Sequence, residues 1–183
     1  SQYLQFLGTD KMSAEEISKA FYKIASNFTI SSGEEYTTVS IEGLQENFDA
    51  AVKLYEDLIL NVKADDAALK SLKERMAKAR KDAKANKGAI LQGLTSYALY
   101  GEKNKFNNVL SNADLEKTTS KELVDRIKNL NNYEQTVIYY GPASLKDLEN
   151  KLKTAHQVPA KFAVTDSTRV FKQTKQTKNE VLF

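Results

Sequence analysis

The stretch Phe28-Thr-Ile-Ser-Ser-Gly-Glu-Glu-Tyr-Thr-Thr-Val-Ser-Ile-Glu42 decides the fold class. Phe28 and Ile30 alternate with polar residues, then Ser31-Ser-Gly-Glu34 supplies turn chemistry. Thr37, Val39 and Ile41 alternate again. Period-two patterning on both sides of a turn predicts a β-hairpin, about 28–31 against 36–42, ended by Gly43. Everything around it reads as helix. Ser13-Ala-Glu-Glu16 is a capping box, with a hydroxyl at the N-cap and a carboxylate three residues on. Ile17, Ala20, Phe21 and Ile24 follow at helical spacing.

Beyond the hairpin, Phe48, Ala51, Val52, Tyr55, Leu58 and Ile59 form an amphipathic stripe, predicting a helix over about 45–61. A second helix begins at Asp65 or Asp66, with Leu69, Leu72, Met76, Ala79 and Ala83 expected to face inward. Ile90, Leu91, Leu94, Tyr97 and Ala98 make a strongly apolar helix that closes at Gly101. Ser111 caps a short turn, Thr119-Ser-Lys-Glu122 is a second capping box, and Ser144 caps a last helix carrying Leu145, Leu148 and Leu152. Thr136-Val-Ile-Tyr-Tyr140 is a continuous apolar run, which predicts a strand buried on both faces and central in the sheet, paired with the hairpin. The expected architecture is α+β, a mostly antiparallel sheet with helices packed on one face as a two-layer sandwich. Residues 1–156 form the domain. Residues 157–183 read as a polar linker, with Asn179–Phe183 as the start of a following domain.

Composition removes most chemistry. The 183 residues contain no Cys and one His, His156. Disulfides, thiolate zinc sites, iron–sulfur clusters and thiol nucleophiles are excluded. One His cannot serve a Ser-His-Asp triad with no nucleophile signalled nearby; its place at a helix end suits a cation on the helix dipole. No run of about 18 apolar residues predicts a spanning helix, so no membrane partner is expected. No Gly-rich phosphate loop occurs. The adjacent pairs Glu15-Glu16, Glu34-Glu35, Glu56-Asp57 and Asp65-Asp66 do not face one another on a helix and read as solvated charges.

Charge is lopsided: residues 1–66 are net −7 and residues 67–183 net +10. Lys70, Lys73, Arg75, Lys78, Arg80, Lys81, Lys84 and Lys87 concentrate the positive charge, against only Glu74 and Asp82. A basic helix can neutralise phosphates. This one has no interleaved aromatics for stacking, so it reads as a solvated face, and nucleic acid is not an expected partner.

The order of elements is distinctive. Phe6-Leu-Gly-Thr9 precedes the capped helix and hairpin, Glu42-Gly-Leu44 leads into the amphipathic helix, Tyr100-Gly101 ends the apolar one, and Val137-Ile-Tyr-Tyr-Gly-Pro142 follows the helix at 121–130. In this order and spacing, residues 3–155 resemble the insulinase/pitrilysin-type zinc peptidases, the inverzincin family. The resemblance implies homologous α+β domains chained around a peptide chamber. It also implies an H-x-x-E-H helix leading into the Phe-Leu-Gly-Thr segment, whose two His bind zinc while the Glu activates water. Aligned on Phe6–Thr9, Gln2 stands at the Glu position and Tyr3 at the second His position. A third, downstream Glu ligand would fall near Lys78, Ala79 and Arg80, none of them a carboxylate.

The resemblance is therefore to a non-catalytic repeat, with no catalytic, cofactor-binding or metal-binding residue of its own and no cofactor in this chain, zinc belonging to the parent protein. It implies a fragment of a longer polypeptide, whose partners are the other domains, the parent protein's peptide substrate and, through an exposed sheet edge or apolar patch, a second copy of the fragment. An inactive structural or interaction subunit of the same family is the alternative; a nucleic-acid binder using the helix at 70–87 is a weaker one. The compartment, bacterial periplasm or cytoplasm, is left open.

Overall fold

The computed structural model describes residues 1–33, 36–156 and 159–163. The first helix, α1 (Ala14–Lys23), starts where the sequence says it should. The Ser13 amide donates to Glu16 Oε2 at 2.7 Å, and the Glu16 amide donates back to Ser13 Oγ at 3.2 Å. Orphan N–H groups at the helix start are thereby satisfied in both directions. Ile17 and Phe21 are its buried side chains.

The chain then turns through Ala25, at φ 46, into β1 (Ser26–Ser32) and β2 (Thr37–Gly43). The two strands are antiparallel, with Phe28 opposite Ile41 and Ile30 opposite Val39. Those four apolar side chains share one face and pack on the core; Asn27, Thr29, Ser31, Thr38 and Glu42 are exposed on the other. Gly43 is fixed by close approach. A Cβ there would lie 2.1 Å from Ser26 Oγ and 2.9 Å from Ser26 Cβ.

Against the apolar face lies α2 (Phe48–Asn61), which buries Ala51, Val52, Tyr55, Leu58 and Ile59. Rings bridge the layers: Phe21 to Phe28 at 4.9 Å and Phe28 to Tyr55 at 5.9 Å between centroids. The N-terminal segment closes the far side of the core. Tyr3, Leu4 and Leu7 are buried, and the Lys63 amide donates to Gly8 O at 2.9 Å.

Next come α3 (Asp66–Ala85) and α4 (Lys87–Tyr100), joined by a single residue. Asn86 ends α3, its amide donating to Ala83 O, and starts α4, its side-chain oxygen accepting from the Ala89 amide at 3.0 Å. Gly101, at φ 65, ends α4 with its amide on Tyr97 O, the left-handed conformation that glycine adopts at low cost. Ser111, Thr119 and Ser144 cap α5 (Asn112–Lys117), α6 (Ser120–Lys128) and α7 (Leu145–Ala155). Thr119 makes only half of the expected capping box, because the Glu122 carboxylate turns to Arg126 at 2.9 Å. No helix among the described residues is long and apolar enough to cross a membrane.

The α+β class stands, as a two-stranded antiparallel sheet among helices. Two expectations need correction. First, 136–140 is not a strand of the sheet: Val137, Ile138 and Tyr140 are exposed, Ile138 at 91%. Only Tyr139 is anchored, its hydroxyl meeting Gln45 Oε1 at 2.5 Å and its ring standing edge-on to Phe48 at 6.0 Å. An apolar run needs a ladder partner to become a central strand, and among the described residues none lies beside this one. Second, Ala79 and Ala83 are exposed, although Leu69 and Leu72 are buried and Met76 packs against the core. The inward stripe of α3 stops where the core stops. In α4, the large apolar side chains face outward. Ile90, Leu91, Leu94 and Tyr97 are exposed, while Ser96 is buried.

The expected linker and the strand onset at Asn179–Phe183 lie mostly outside the described residues. Within them, the Ala163 amide donates to Asn132 O at 2.7 Å, setting 163 beside 133.

Candidate functional site

Sequence reasoning singled out Gln2 and Tyr3, and Lys78 to Arg80, as the positions where a zinc peptidase would carry its ligands and base. The structure gives Tyr3 a structural place. It is 4% exposed, and its hydroxyl donates to Asp65 O at 2.8 Å and accepts from the Asp65 amide at 2.9 Å. Burial raises its pKa, and the nearby Asp65 and Asp66 charges push the same way. The phenol therefore stays protonated and ties the N-terminal segment to the start of α3. Gln2 is exposed beside it.

Lys78, Ala79 and Arg80 stand about four turns further along α3 from the Asp65 cap, about 20 Å at 1.5 Å per residue. Zinc ligands all sit about 2 Å from one ion, so these positions and the Tyr3 hydroxyl do not share a centre. Arg80 is committed elsewhere, its guanidinium donating to Leu110 O at 2.8 Å and to Asn112 Oδ1. Among the described residues, no three His, Asp or Glu side chains are gathered so that they could hold a metal ion.

The sequence matches the family model described as insulinase (peptidase family M16) over residues 2–114. The chain belongs to the insulinase family of peptidases. That match spans the Phe6–Thr9 segment, the capped helix, the hairpin, α2, α3 and α4; the helix at 121–130 and Val137–Pro142, which also carried the resemblance, lie beyond it. No curated protein matches the chain. Within this insulinase-family domain, the basic face of α3 is partly consumed in structural contacts. Arg75 lies over the Phe6 ring at 4.9 Å, and Lys73 donates to Glu116 O at 2.7 Å. These side chains pin the helix to its neighbours.

One polar centre was invisible in the sequence. Glu56 on α2 is 6% exposed in a largely apolar helix face. Its Oε1 lies 2.5 Å from His156 Nδ1, and its Oε2 accepts from Asn131 Nδ2 at 3.3 Å. His156 Nε2 lies 2.7 Å from Gln135 Oε1. The hydrogen bond to Glu56 raises the His156 pKa, and burial offsets part of that rise. Only the position of His156 at a helix end was legible; its partner Glu56, a hundred residues away, was read as a solvated charge beside Asp57.

Proposed function

We propose that this chain is a non-catalytic structural domain of an insulinase-family zinc metallopeptidase, one that helps to enclose the chamber in which the parent protein holds its peptide substrate. Family membership supplies the context. The observation that carries the reading is Tyr3: at the aligned position of a zinc-binding His stands a buried phenol committed to the Asp65 backbone. Gln2 has no basic atom with which to take a proton from water, and Lys78 and Arg80 bring positive charge to where the family pattern calls for a carboxylate ligand. No zinc or other cofactor is assigned to this chain, and other domains of the same polypeptide are its partners.

The two-layer sandwich belongs to the same proposal. A lone hairpin is marginal without a third strand, and β1 and β2 each have one partner only among the described residues. Strands from neighbouring parts of the polypeptide would complete the sheet.

The test is metal analysis of the purified 183-residue chain after zinc exposure and dialysis, with a peptide-cleavage assay alongside. Zinc at trace level and no cleavage are expected. Stoichiometric zinc held by this chain overturns the reading.

A second reading is an inactive structural or interaction subunit of the family. The outward face of α4, Ile90, Leu91, Leu94 and Tyr97, favours an associating role in either case. The two separate on one fact: an H-x-x-E-H helix in the same polypeptide supports the first, and its absence there supports the second.

A further inference from the structure

The three elements that meet at His156 come from distant parts of the chain. Glu56 belongs to α2, the central helix of the core; Asn131 lies in the turn after α6 and Gln135 just beyond it; His156 ends α7. The hydrogen-bond inventory of the ring favours one charge state. A neutral imidazole carries one N–H and one acceptor nitrogen. Here both nitrogens face oxygens, Glu56 Oε1 at 2.5 Å and Gln135 Oε1 at 2.7 Å. Only the imidazolium, with two N–H groups, satisfies both as they stand. After loss of a proton, one nitrogen lone pair points at an oxygen, and that contact breaks or the Gln135 amide must turn over.

The charged surroundings are simple. Among the described residues, Glu56 is the charged group that acts on the ring. The segment after α6 contributes neutral amides, Asn131 and Gln135. On α7 itself, Lys151 is held by Asp49 at 2.8 Å and Lys153 lies 4.0 Å from Glu149. Beside Glu56 on α2, Tyr55 is kept protonated by burial and by the Glu56 charge.

We propose that Glu56, His156 and Gln135 form a proton-controlled clasp, closed when the imidazole is protonated, that fixes the C-terminal end of α7 and the segment 129–135 to α2. The clasp governs the point at which the chain leaves α7 for 163, which returns alongside Tyr133. With the folded pKa above 6.5, the clasp contributes its full stabilisation below the unfolded value. That contribution is lost as pH rises through the folded value. Acidification closes it and alkalinisation loosens it.

With a single His in the chain, its ring proton resonance can be titrated without ambiguity by NMR. The expected midpoint lies above 6.5, and Glu56→Gln moves it down. Gln135→Leu, at a solvent-exposed position, also moves it down and keeps the test alive if the buried change prevents folding. In parallel, amide-exchange protection of 145–155, taken relative to α1 and corrected for intrinsic rate, should fall as pH passes the His midpoint. It should show no such step in His156→Gln. A midpoint at or below 6.5, or a protection ratio without a step in the wild-type chain, overturns the proposal.

Discussion

The Tyr3 hydroxyl bridges the two backbone atoms of Asp65, donating to its carbonyl at 2.8 Å and accepting from its amide at 2.9 Å. One phenol thus holds the first residues of the chain against the N-cap of α3, whose Asp65 side chain accepts from the Ala68 amide at 2.8 Å. Removing the hydroxyl while keeping the ring isolates this tie. Tyr3→Phe should cost about 0.5–1.5 kcal/mol, the net worth of a typical hydrogen bond, read as a lower midpoint in urea unfolding.

Putting family residues back should not rebuild a metal site. Gln2→Glu with Tyr3→His is expected to bind no zinc at stoichiometric level, because position 3 faces Asp65 and the aligned downstream position lies about 20 Å along α3. Metal analysis of the double variant checks this, and one tightly held zinc per chain would contradict it.

The face of α3 changes character along its length. Met76 packs on the core, so Met76→Asp should destabilise by several kcal/mol, roughly the cost of burying an unpaired charge. Lys78→Glu and Ala79→Glu, at exposed positions, should each stay within about 0.5 kcal/mol. Thermal or denaturant unfolding of the three variants would separate them; similar losses for all three would reject this division of the helix.

Gly43 tests the junction of the two strands. Gly43→Ala should cost about 1–3 kcal/mol through overpacking against Ser26. Ser26→Gly in the same chain should return much of that loss, since it removes the atoms 2.1 and 2.9 Å from the new methyl group. A double-mutant cycle with no coupling would place the strain elsewhere.

At Ser13, the Glu16 carboxyl has its pKa lowered, first by the Ser13 amide and then by the hydroxyl. A depressed carboxylate contributes stability above its unfolded pKa, here 4.5, and loses it as pH falls through the folded value. Ser13→Ala should cost about 1 kcal/mol near neutrality, as N-cap losses do. The gap between variant and wild type should narrow below pH 4.5. An acid unfolding series measures that gap.

What was legible in the sequence was local. Caps at Ser13, Ser111 and Ser144 bond residues three positions away, and the hairpin shows itself by alternation in Phe28, Ile30, Val39 and Ile41. The order of such elements was enough to reach the insulinase family. Position 138 was misread because an apolar run looks the same whether or not another strand lies beside it. Ala79 and Ala83 continue a helical stripe beyond the point where anything is packed against it. The Glu56–His156 contact joins residues a hundred positions apart, and nothing in either neighbourhood announces the other.

The single-residue joint at Asn86 sets the bearing of α4. Each residue advances a helix by about 100°, and α3 is indexed to the core by Leu69 and Leu72. With no slack between the helices, the compass direction of Ile90, Leu91 and Leu94 is inherited from those two leucines. One residue added or removed on either side of Asn86 would swing that apolar bearing by more than a quarter turn while leaving Ile90, Leu91 and Leu94 themselves unchanged.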